Sequence, residues 1–316
     1  MTLQMLTPKR STSSASNDTV RKAGGGDNQP VIFIRTALVV CLLALVCFVL
    51  PLEWLGTKVE NESRYKRRYL ENHADDIATL LLGHSLFAVS FNPHVLGDSV
   101  FMTSQVNRKL WYDVELARRY LPMLPNLHTV LYPINIGYLA ADGRSITEGA
   151  EYARSWHLYC DGFPQRWLCR SLLASGHLSY RSFHSGVGCD SLGYTAHTNR
   201  KDGLRPTVSS TQHEPEVVDR YARLLAELAG LCHDRGVRFI AVVCPASDSY
   251  LGQCTDRLHA DLQHVVATVQ AQQPMEFRNY LDDIDFRCDT LYYDDLHLNH
   301  SGATRFAQRV KEDFGL

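Results

Sequence analysis

One long apolar run stands near the start of the chain, ahead of a region where short apolar and amphipathic stretches alternate. Residues 31–52 are apolar except for Arg35 and the small side chain of Thr36. As a helix, such a run spans roughly the 30 Å hydrocarbon core of a bilayer. Arg35 lies near one end, where its side chain reaches the head groups, and Trp54 follows the run at the position of an interfacial aromatic residue. The pattern predicts one transmembrane anchor over residues 31–52.

The charges that flank the anchor predict its orientation. Basic residues precede it, whereas acidic residues mix with Lys58 after it. The positive-inside rule therefore places residues 1–30 in the cytoplasm and the rest outside. A cleaved signal peptide is the alternative, but the leader is long, the apolar run exceeds an ordinary signal core, and no small-x-small cleavage site follows. The basic residues counted are Lys9, Arg10, Arg21 and Lys22.

The segments on either side of the anchor have different compositions. Residues 1–30 are rich in serine and glycine and hold almost nothing large and apolar, so they predict a disordered tail. Residues 53–77 are charged and helical in character, which predicts a stalk. The remaining residues, 78–316, form one extracytoplasmic domain in this interpretation.

Within that domain, apolar runs bounded by turn residues alternate with helical patterns. Residues 78–82, 127–134 and 237–244 read as buried strands. This alternation predicts an α/β fold with a parallel sheet that helices cover on both faces. Residues 141–213 lack clear periodicity and are interpreted as an insertion that covers or shapes a site. The predicted helices are 112–120, 214–234, 256–272 and 301–314, the last with Ser301 as its N-cap.

Charge and cysteine content narrow the function classes. A net charge of −2 offers no basic surface for nucleic acid. Cys232 and Cys244 lie in apolar contexts and read as buried thiols, and the lack of any C-x-x-C pair argues against structural zinc. In an oxidising compartment disulfides are expected among five further cysteines, with the pairing open: Cys160, Cys169, Cys189, Cys254 and Cys288.

The candidate chemistry begins with Gly83-His84-Ser85, which ends the first predicted strand. Open parallel sheets place their sites at the carboxyl ends of the strands. Serine is a weak nucleophile and needs a base within hydrogen-bond reach. Asp294 precedes His297 by three residues on a predicted turn, so the carboxylate can hold one ring nitrogen while the other takes the serine proton. Ser85, Asp294 and His297 are therefore the candidate catalytic residues.

A second serine competes with Ser85. Gly97-Asp98-Ser99 is another Gly-x-Ser sequence, but residues 92–96 before it form a turn and a short stretch instead of a strand. Ser85 follows a buried strand and is the favoured nucleophile.

These segments resemble those of a known family. Gly83 to Pro93 is similar to the G-S-S-H-x-x-x-G-I-N-P opening of membrane-anchored bacterial envelope members of the SGNH/GDSL hydrolase superfamily. Residues 294–303 resemble their D-x-D-H-L-N-x-x-G-A close, and the likeness spans most of residues 78–316. His84 and Leu86 depart from the usual residues. The resemblance implies a three-layer αβα, flavodoxin-like SGNH fold with a parallel sheet.

The resemblance also implies an oxyanion hole. Its expected donors are the backbone N–H of Ser85, the side chain of Asn135 and that of Asn107, with the backbone of Ser104 and Gln105 as the alternative to Asn107.

The function implied is that of a serine esterase or O-acyltransferase anchored in a bacterial inner membrane, with the domain in the periplasm. Its expected substrate is an acyl ester, acetyl being favoured, of an envelope or extracellular polysaccharide. No metal or organic cofactor is expected. The expected partners are an acylated glycan, the bilayer through residues 31–52 and a membrane-embedded acyl donor protein, with no nucleic acid. The alternative, which His84 and Leu86 leave open, is an inactive SGNH-fold component that binds or assembles polysaccharide machinery.

Overall fold

The computed structural model describes residues 29–56, 58–135, 137, 139, 152–158, 186–198 and 213–316. The chain divides into two compact units, residues 1–52 and 53–316. Within the described part, one helix, Gln29–Gly56, is long and apolar enough to cross a membrane, and it contains the predicted anchor. It runs as α1 (Gln29–Ala44), a π-helical turn (Leu45–Val49) and α2 (Leu50–Gly56). The predicted tail lies outside the described residues apart from its last two positions.

Helix α3 (Glu62–Asn72) occupies the middle of the predicted stalk. Asn61 caps it by accepting the Arg64 N–H at 2.9 Å. One face of α3 is buried against the domain, including the side chains of Lys66 and Leu70. The sequence predicts a stalk that leads away from the bilayer, and in the structure the helix of this segment packs onto the domain.

The second unit is built on a parallel five-stranded sheet of order β2-β1-β3-β4-β5, which is the flavodoxin-like order. The side chains of successive residues along each central strand lie on opposite faces of the sheet. Leu80 and Leu82, for example, pack in one apolar layer and Leu81 packs in the other. The predicted α/β class and parallel sheet are confirmed. The strands are β1 (Thr79–Leu81), β2 (Val100–Met102), β3 (Thr129–Pro133), β4 (Arg238–Val243) and β5 (Glu276–Asn279).

Helices cover both faces of this sheet and complete three layers. The apolar residues of α5 (Leu110–Tyr120), α6 (Pro215–His233) and α8 (Asp256–Gln270) pack in the layer on one face. Those of α4 (Ser85–Ser90) and α9 (His300–Phe314) pack in the layer on the other. Helix α7 (Asp248–Leu251) is a single turn after β4.

Three expectations about local structure are corrected. Strands β2 and β5 are missing from the sequence prediction. Helix α9 begins one residue earlier than predicted and is capped by Asn299, whose Oδ1 accepts the Gly302 N–H at 3.0 Å, so Ser301 is not the N-cap. The thiols of Cys189, Cys254 and Cys288 are free, contrary to the expected disulfides, while Cys160 and Cys169 lie outside the described residues.

Two pieces of the predicted insertion are described, residues 152–158 and 186–198. Tyr152 stacks on Tyr112 of α5 with ring centroids 3.6 Å apart. Trp156 is fully buried, and its backbone oxygen accepts the Tyr120 hydroxyl at 2.9 Å. The first piece therefore belongs to the core beside α5. Apart from residue 213, the rest of the insertion lies outside the described residues, so its expected role in covering or shaping a site stays a prediction.

Candidate active site

The turn between β1 and α4 places Ser85 at the carboxyl edge of the sheet. Gly83 has φ +109°, and a Cβ there would lie 2.5 Å from Cδ of Pro133 on the neighbouring strand, so only glycine fits without displacement. Its N–H donates to Asp113 Oδ1 at 3.2 Å and its carbonyl accepts the Gln105 N–H at 3.1 Å. With Gly83 held on both sides, Ser85 begins α4 at a defined position.

The turn before α9 brings His297 to Ser85. Ser85 Oγ lies 2.9 Å from His297 Nε2. The backbone of the turn is closed by a bridge between Tyr292 and Leu298, and the Leu298 N–H donates to Ser90 Oγ at 2.9 Å. Because Ser85 and Ser90 both belong to α4, this helix is joined to the histidine turn at both of its ends.

Asp294 holds the other ring nitrogen of His297. Its two carboxylate oxygens lie 3.0 and 2.9 Å from Nδ1. A carboxylate only accepts hydrogen bonds, so Nδ1 carries the proton and Nε2 is left to accept from the Ser85 hydroxyl. Asp294 Oδ1 also accepts the backbone N–H groups of Leu296 and His297, at 2.9 and 2.7 Å. The carboxylate therefore shapes the turn as well as the ring.

The surroundings of Asp294 favour its ionised form. Burial by itself would raise the pKa of Asp294, but the hydrogen bonds and charge of His297 outweigh it and lower the pKa. The neighbouring Asp295 accepts the Ser249 hydroxyl at 2.8 Å, which ties the segment after β4 to the same turn.

Two of the three predicted oxyanion donors lie at this edge of the sheet. As the first residue of α4, Ser85 has a backbone N–H with no acceptor within its helix. Asn135 is buried just after β3, and its Oδ1 accepts the Gly137 N–H at 3.0 Å and the Tyr250 hydroxyl at 3.4 Å. These two donors identify the Asn135 oxygen, so its Nδ2 is left as a hydrogen-bond donor.

The third predicted donor is not brought to the site. Asn107 lies on an exposed turn with φ +62°, and among the described residues no hydrogen bond joins it to the residues around Ser85. Of the alternative pair, Gln105 donates its backbone N–H to the Gly83 carbonyl, so this N–H is already occupied. The Ser104 hydroxyl donates to the carbonyls of Leu81 and Leu82, at 3.3 and 2.9 Å. This loop therefore hydrogen-bonds to the end of β1 and to Gly83, and the backbone N–H of Ser104 stays a predicted oxyanion donor.

The competing serine lies at the opposite edge. Ser99 directly precedes β2, and its carbonyl accepts the N–H groups of Ala78 and Thr79 at the start of β1. Because β1 and β2 are parallel, Ser99 is at the amino edge of the sheet and Ser85 at the carboxyl edge. Of these two serines, Ser85 is the one on the edge where His297 lies.

His84 lies where the proteins of the sequence resemblance, the envelope members of the SGNH/GDSL superfamily, usually have Asp or Ser. Its Nδ1 accepts the Leu86 N–H at 3.4 Å and so caps α4. Burial, followed by the charge of His297, lowers the pKa of His84 to about 4, so the ring stays neutral near pH 7. The departure from the usual residue thus preserves the cap and adds no charge beside His297.

A buried charged pair under the nucleophile turn has no counterpart in the sequence interpretation. Arg108 and Asp113 are both fully buried, with Nη1 and Oδ1 3.4 Å apart. Burial, opposed by Arg108 and the Gly83 N–H, raises the pKa of Asp113 to about 6. The sequence feature that could have indicated this pair is Asp113, a charged residue on the buried face of α5.

Within the described residues, no three His, Cys, Asp or Glu side chains form a group that could hold a metal ion.

Comparison with known proteins finds distant structural likeness and no sequence match. No model of a protein family and no curated protein matches the sequence. A GDSL-like lipase from Bacteroides thetaiotaomicron aligns over 80% of this chain and 98% of its own, with 10% identity and a TM-score of 0.39. A protein from Bacteroides fragilis, provisionally described as an acylhydrolase, aligns over 78% and 95%, with 10% identity and a TM-score of 0.40. A protein provisionally described as a platelet activating factor from Streptococcus pneumonia aligns over 87% and 98%, with 11% identity and a TM-score of 0.43.

Such distant likenesses leave the chemistry to be argued from the site itself. The strand order, the serine after β1 and the Asp-x-x-His turn before the last helix agree with the arrangement that the sequence resemblance implies.

Proposed function

We propose, on the premise of an SGNH/GDSL hydrolase-like fold, that this chain is a serine acyl-ester hydrolase or acyltransferase that acts through Ser85, His297 and Asp294. The observation that carries the proposal is the continuous line from Asp294 through His297 to Ser85, with contacts of 2.9 Å on each side of the ring. These distances are within the range in which a histidine takes a serine proton.

The proposed reaction has two halves. Ser85 Oγ attacks the ester carbonyl while His297 Nε2 takes the hydroxyl proton, and the carbonyl oxygen becomes an oxyanion facing the Ser85 N–H and Asn135 Nδ2. Collapse of the tetrahedral intermediate breaks the bond to the alcohol, which leaves with the proton from His297. A water or sugar hydroxyl then gives its proton to His297 and attacks the acyl-Ser85 ester, and collapse of this second intermediate breaks the bond to Ser85 Oγ, which takes the proton back from His297.

Substrate and location belong to the same proposal. By its sequence resemblance to envelope members of the superfamily, the chain acts on acyl esters of an envelope or extracellular polysaccharide, with acetyl as the favoured group. Helix Gln29–Gly56 would hold it in a bacterial inner membrane with the N-terminus in the cytoplasm and the site in the periplasm. A membrane-embedded acyl donor protein is the proposed partner if the reaction is transfer.

Hydrolysis and transfer can be separated with one assay. The detergent-solubilised chain is given p-nitrophenyl acetate with and without an oligosaccharide acceptor, beside Ser85→Ala and Ser99→Ala. Release of p-nitrophenol that depends on Ser85 alone supports the proposal, and acetylated oligosaccharide identifies transfer. An inactive wild type would favour a binding or assembly component, and equal activity in Ser85→Ala would contradict Ser85 as the nucleophile.

A further inference from the structure

The nucleophile turn is supported by a chain of buried hydrogen bonds that starts on α3, the helix that follows the apolar helix along the chain. Lys66 of α3 is completely buried, and its Nζ donates to the Ser104 carbonyl at 2.6 Å. Its charge is balanced by Glu62, also at 2.6 Å. Burial lowers the pKa of Lys66, with Glu62 opposing the change.

A second contact joins α3 to the next residue of the same loop. Ser63 Oγ accepts the Gln105 side-chain N–H at 2.7 Å. The other side of the Gln105 amide accepts from Arg108 and from Trp156 Nε1, the latter at 3.1 Å. Both polar atoms of the Gln105 amide are therefore engaged, the nitrogen with α3 and the oxygen with the buried arginine and Trp156.

Both branches of this network end on Gly83. The Gln105 backbone N–H donates to the Gly83 carbonyl at 3.1 Å. Arg108 pairs with Asp113, which accepts the Gly83 N–H at 3.2 Å. Gly83 is separated from Ser85 by one residue, so its two peptide groups set where the serine side chain begins.

We propose that Ser63 and Lys66 of α3 are positioning residues for Ser85, acting through the loop at Ser104 and Gln105, so that the active site is complete only when α3 is docked. This inference rests on the proposed function. A fully buried lysine is a costly way to join two elements, since an apolar side chain of similar volume would pack there without desolvating a charge. What Lys66 adds over such a side chain is a directed hydrogen bond to one carbonyl.

The arrangement predicts a loss of rate without a loss of binding. Reactive groups displaced by a fraction of an ångström react more slowly, although substrate contacts elsewhere are unchanged. In the full-length chain, Lys66→Met is expected to lower kcat for p-nitrophenyl acetate about tenfold, with KM nearly unchanged. Ser63→Ala, which removes one hydrogen bond, is expected to lower kcat about fivefold.

The matched control lies on the same helix. Arg67 also anchors α3, by donating to the Ser155 carbonyl at 2.8 Å, but among the described residues no hydrogen bond joins it to Ser104 or Gln105. Arg67→Ala should lower the melting temperature about as much as Ser63→Ala while leaving kcat unchanged. Because Ser63→Ala and Gln105→Ala break the same link, the double variant should lose no more activity than the stronger single one.

The outcomes separate the two proposals. A wild type without esterase activity overturns the proposed function and this inference with it. An active wild type whose kcat is unchanged in Lys66→Met and Ser63→Ala, or falls equally in Arg67→Ala, overturns the positioning role and leaves the proposed function standing. A fall in kcat confined to the two variants that face the loop supports it.

Discussion

The proton on His297 Nδ1 is held between the two oxygens of Asp294, and this single position decides whether Nε2 can accept from Ser85. In Asp294→Asn the amide can donate to Nδ1, which moves the ring proton to Nε2 and removes the base. We expect kcat for p-nitrophenyl acetate to fall about 10⁴-fold near pH 7, with KM little changed.

Asp295→Asn is the control for that substitution, because the amide oxygen can still accept the Ser249 hydroxyl. It should retain activity within a few-fold of the wild type. Equal losses in the two variants would mean that the turn as a whole, and not the proton on His297, limits the reaction.

Which residues could be recognised from the sequence follows from the range of their contacts. Asp294 and His297 are three residues apart, so their pairing is readable from spacing. Ser85 is 212 residues from His297, and their pairing can be predicted because both positions lie in motifs. Asp113 supports Gly83 from 30 residues away without any motif, and its role becomes visible only when the sheet and α5 are assembled.

At the level of elements, the turn from β1 into α4 depends on glycine for two separable reasons. Gly83 and Gly97 have nearly the same positive φ, 109° and 108°, but a Cβ at Gly83 would meet the Pro133 ring at 2.5 Å, whereas Gly97 has nothing within 4 Å. Gly97→Ala should cost about 1 kcal/mol of unfolding free energy from backbone strain alone. Gly83→Ala should cost about 3 kcal/mol, since the Pro133 ring must also move.

Denaturant unfolding of the two variants measures this difference. Equal costs would show that the Pro133 ring yields freely, and that Gly83 is required only for its backbone conformation.

The elements that were predicted and those that were missed differ in their apolar content. Strands β1, β3 and β4 are buried on both faces and read as apolar runs. Strand β5, Glu276–Asn279, is largely exposed and mostly polar, so no pattern marks it. Strand β2 is three apolar residues between Ser99 and Thr103, whereas β1, equally short, lies in a longer and mostly apolar run that continues to Leu82. Helix α3 carries Lys66 on its buried face, and a charged residue there reads as solvent-facing until its partners are known.

At the scale of the whole molecule, Asp113 makes stability depend on pH. Burial raises its pKa in the fold from 3.8 to about 6, so the folded state binds the proton more tightly than the unfolded chain does. Its contribution to stability is full below about pH 4 and is lost as the pH rises through about 6, which amounts to about 3 kcal/mol for a shift of about two units.

We therefore expect the unfolding free energy of the wild type, relative to Asp113→Asn, to fall by about 3 kcal/mol between pH 4 and pH 7.5. Asp294 has a lowered pKa and acts in the opposite direction, but it is present in both proteins and cancels in the difference. Chemical denaturation at several pH values measures this quantity. A difference that does not change with pH would show that Arg108 compensates the buried carboxylate fully.

The overall architecture was predictable because alternating strands and helices admit few arrangements, and the parallel sheet with helices on both faces is one of them. The packing of α3 and residues 152–158 against the rest of the second unit was not predictable. Helix α3 and residues 152–158 are held to the domain by single hydrogen bonds between distant segments. Lys66 donates to the Ser104 carbonyl, and the Gln105 side chain bonds to Ser63 and to Trp156. Polar links of this kind leave no periodic trace in a sequence.

The central claim is that Ser85 is the nucleophile, and covalent labelling tests it most directly. The detergent-solubilised chain is treated with a fluorophosphonate, which phosphonylates a serine that a neighbouring base has activated. The labelled peptide is then identified by mass spectrometry in the wild type, Ser85→Ala and Ser99→Ala. The account predicts one adduct, on the peptide that contains Ser85, present in Ser99→Ala and absent from Ser85→Ala. An adduct on Ser99, or a wild type that takes no label, would contradict it.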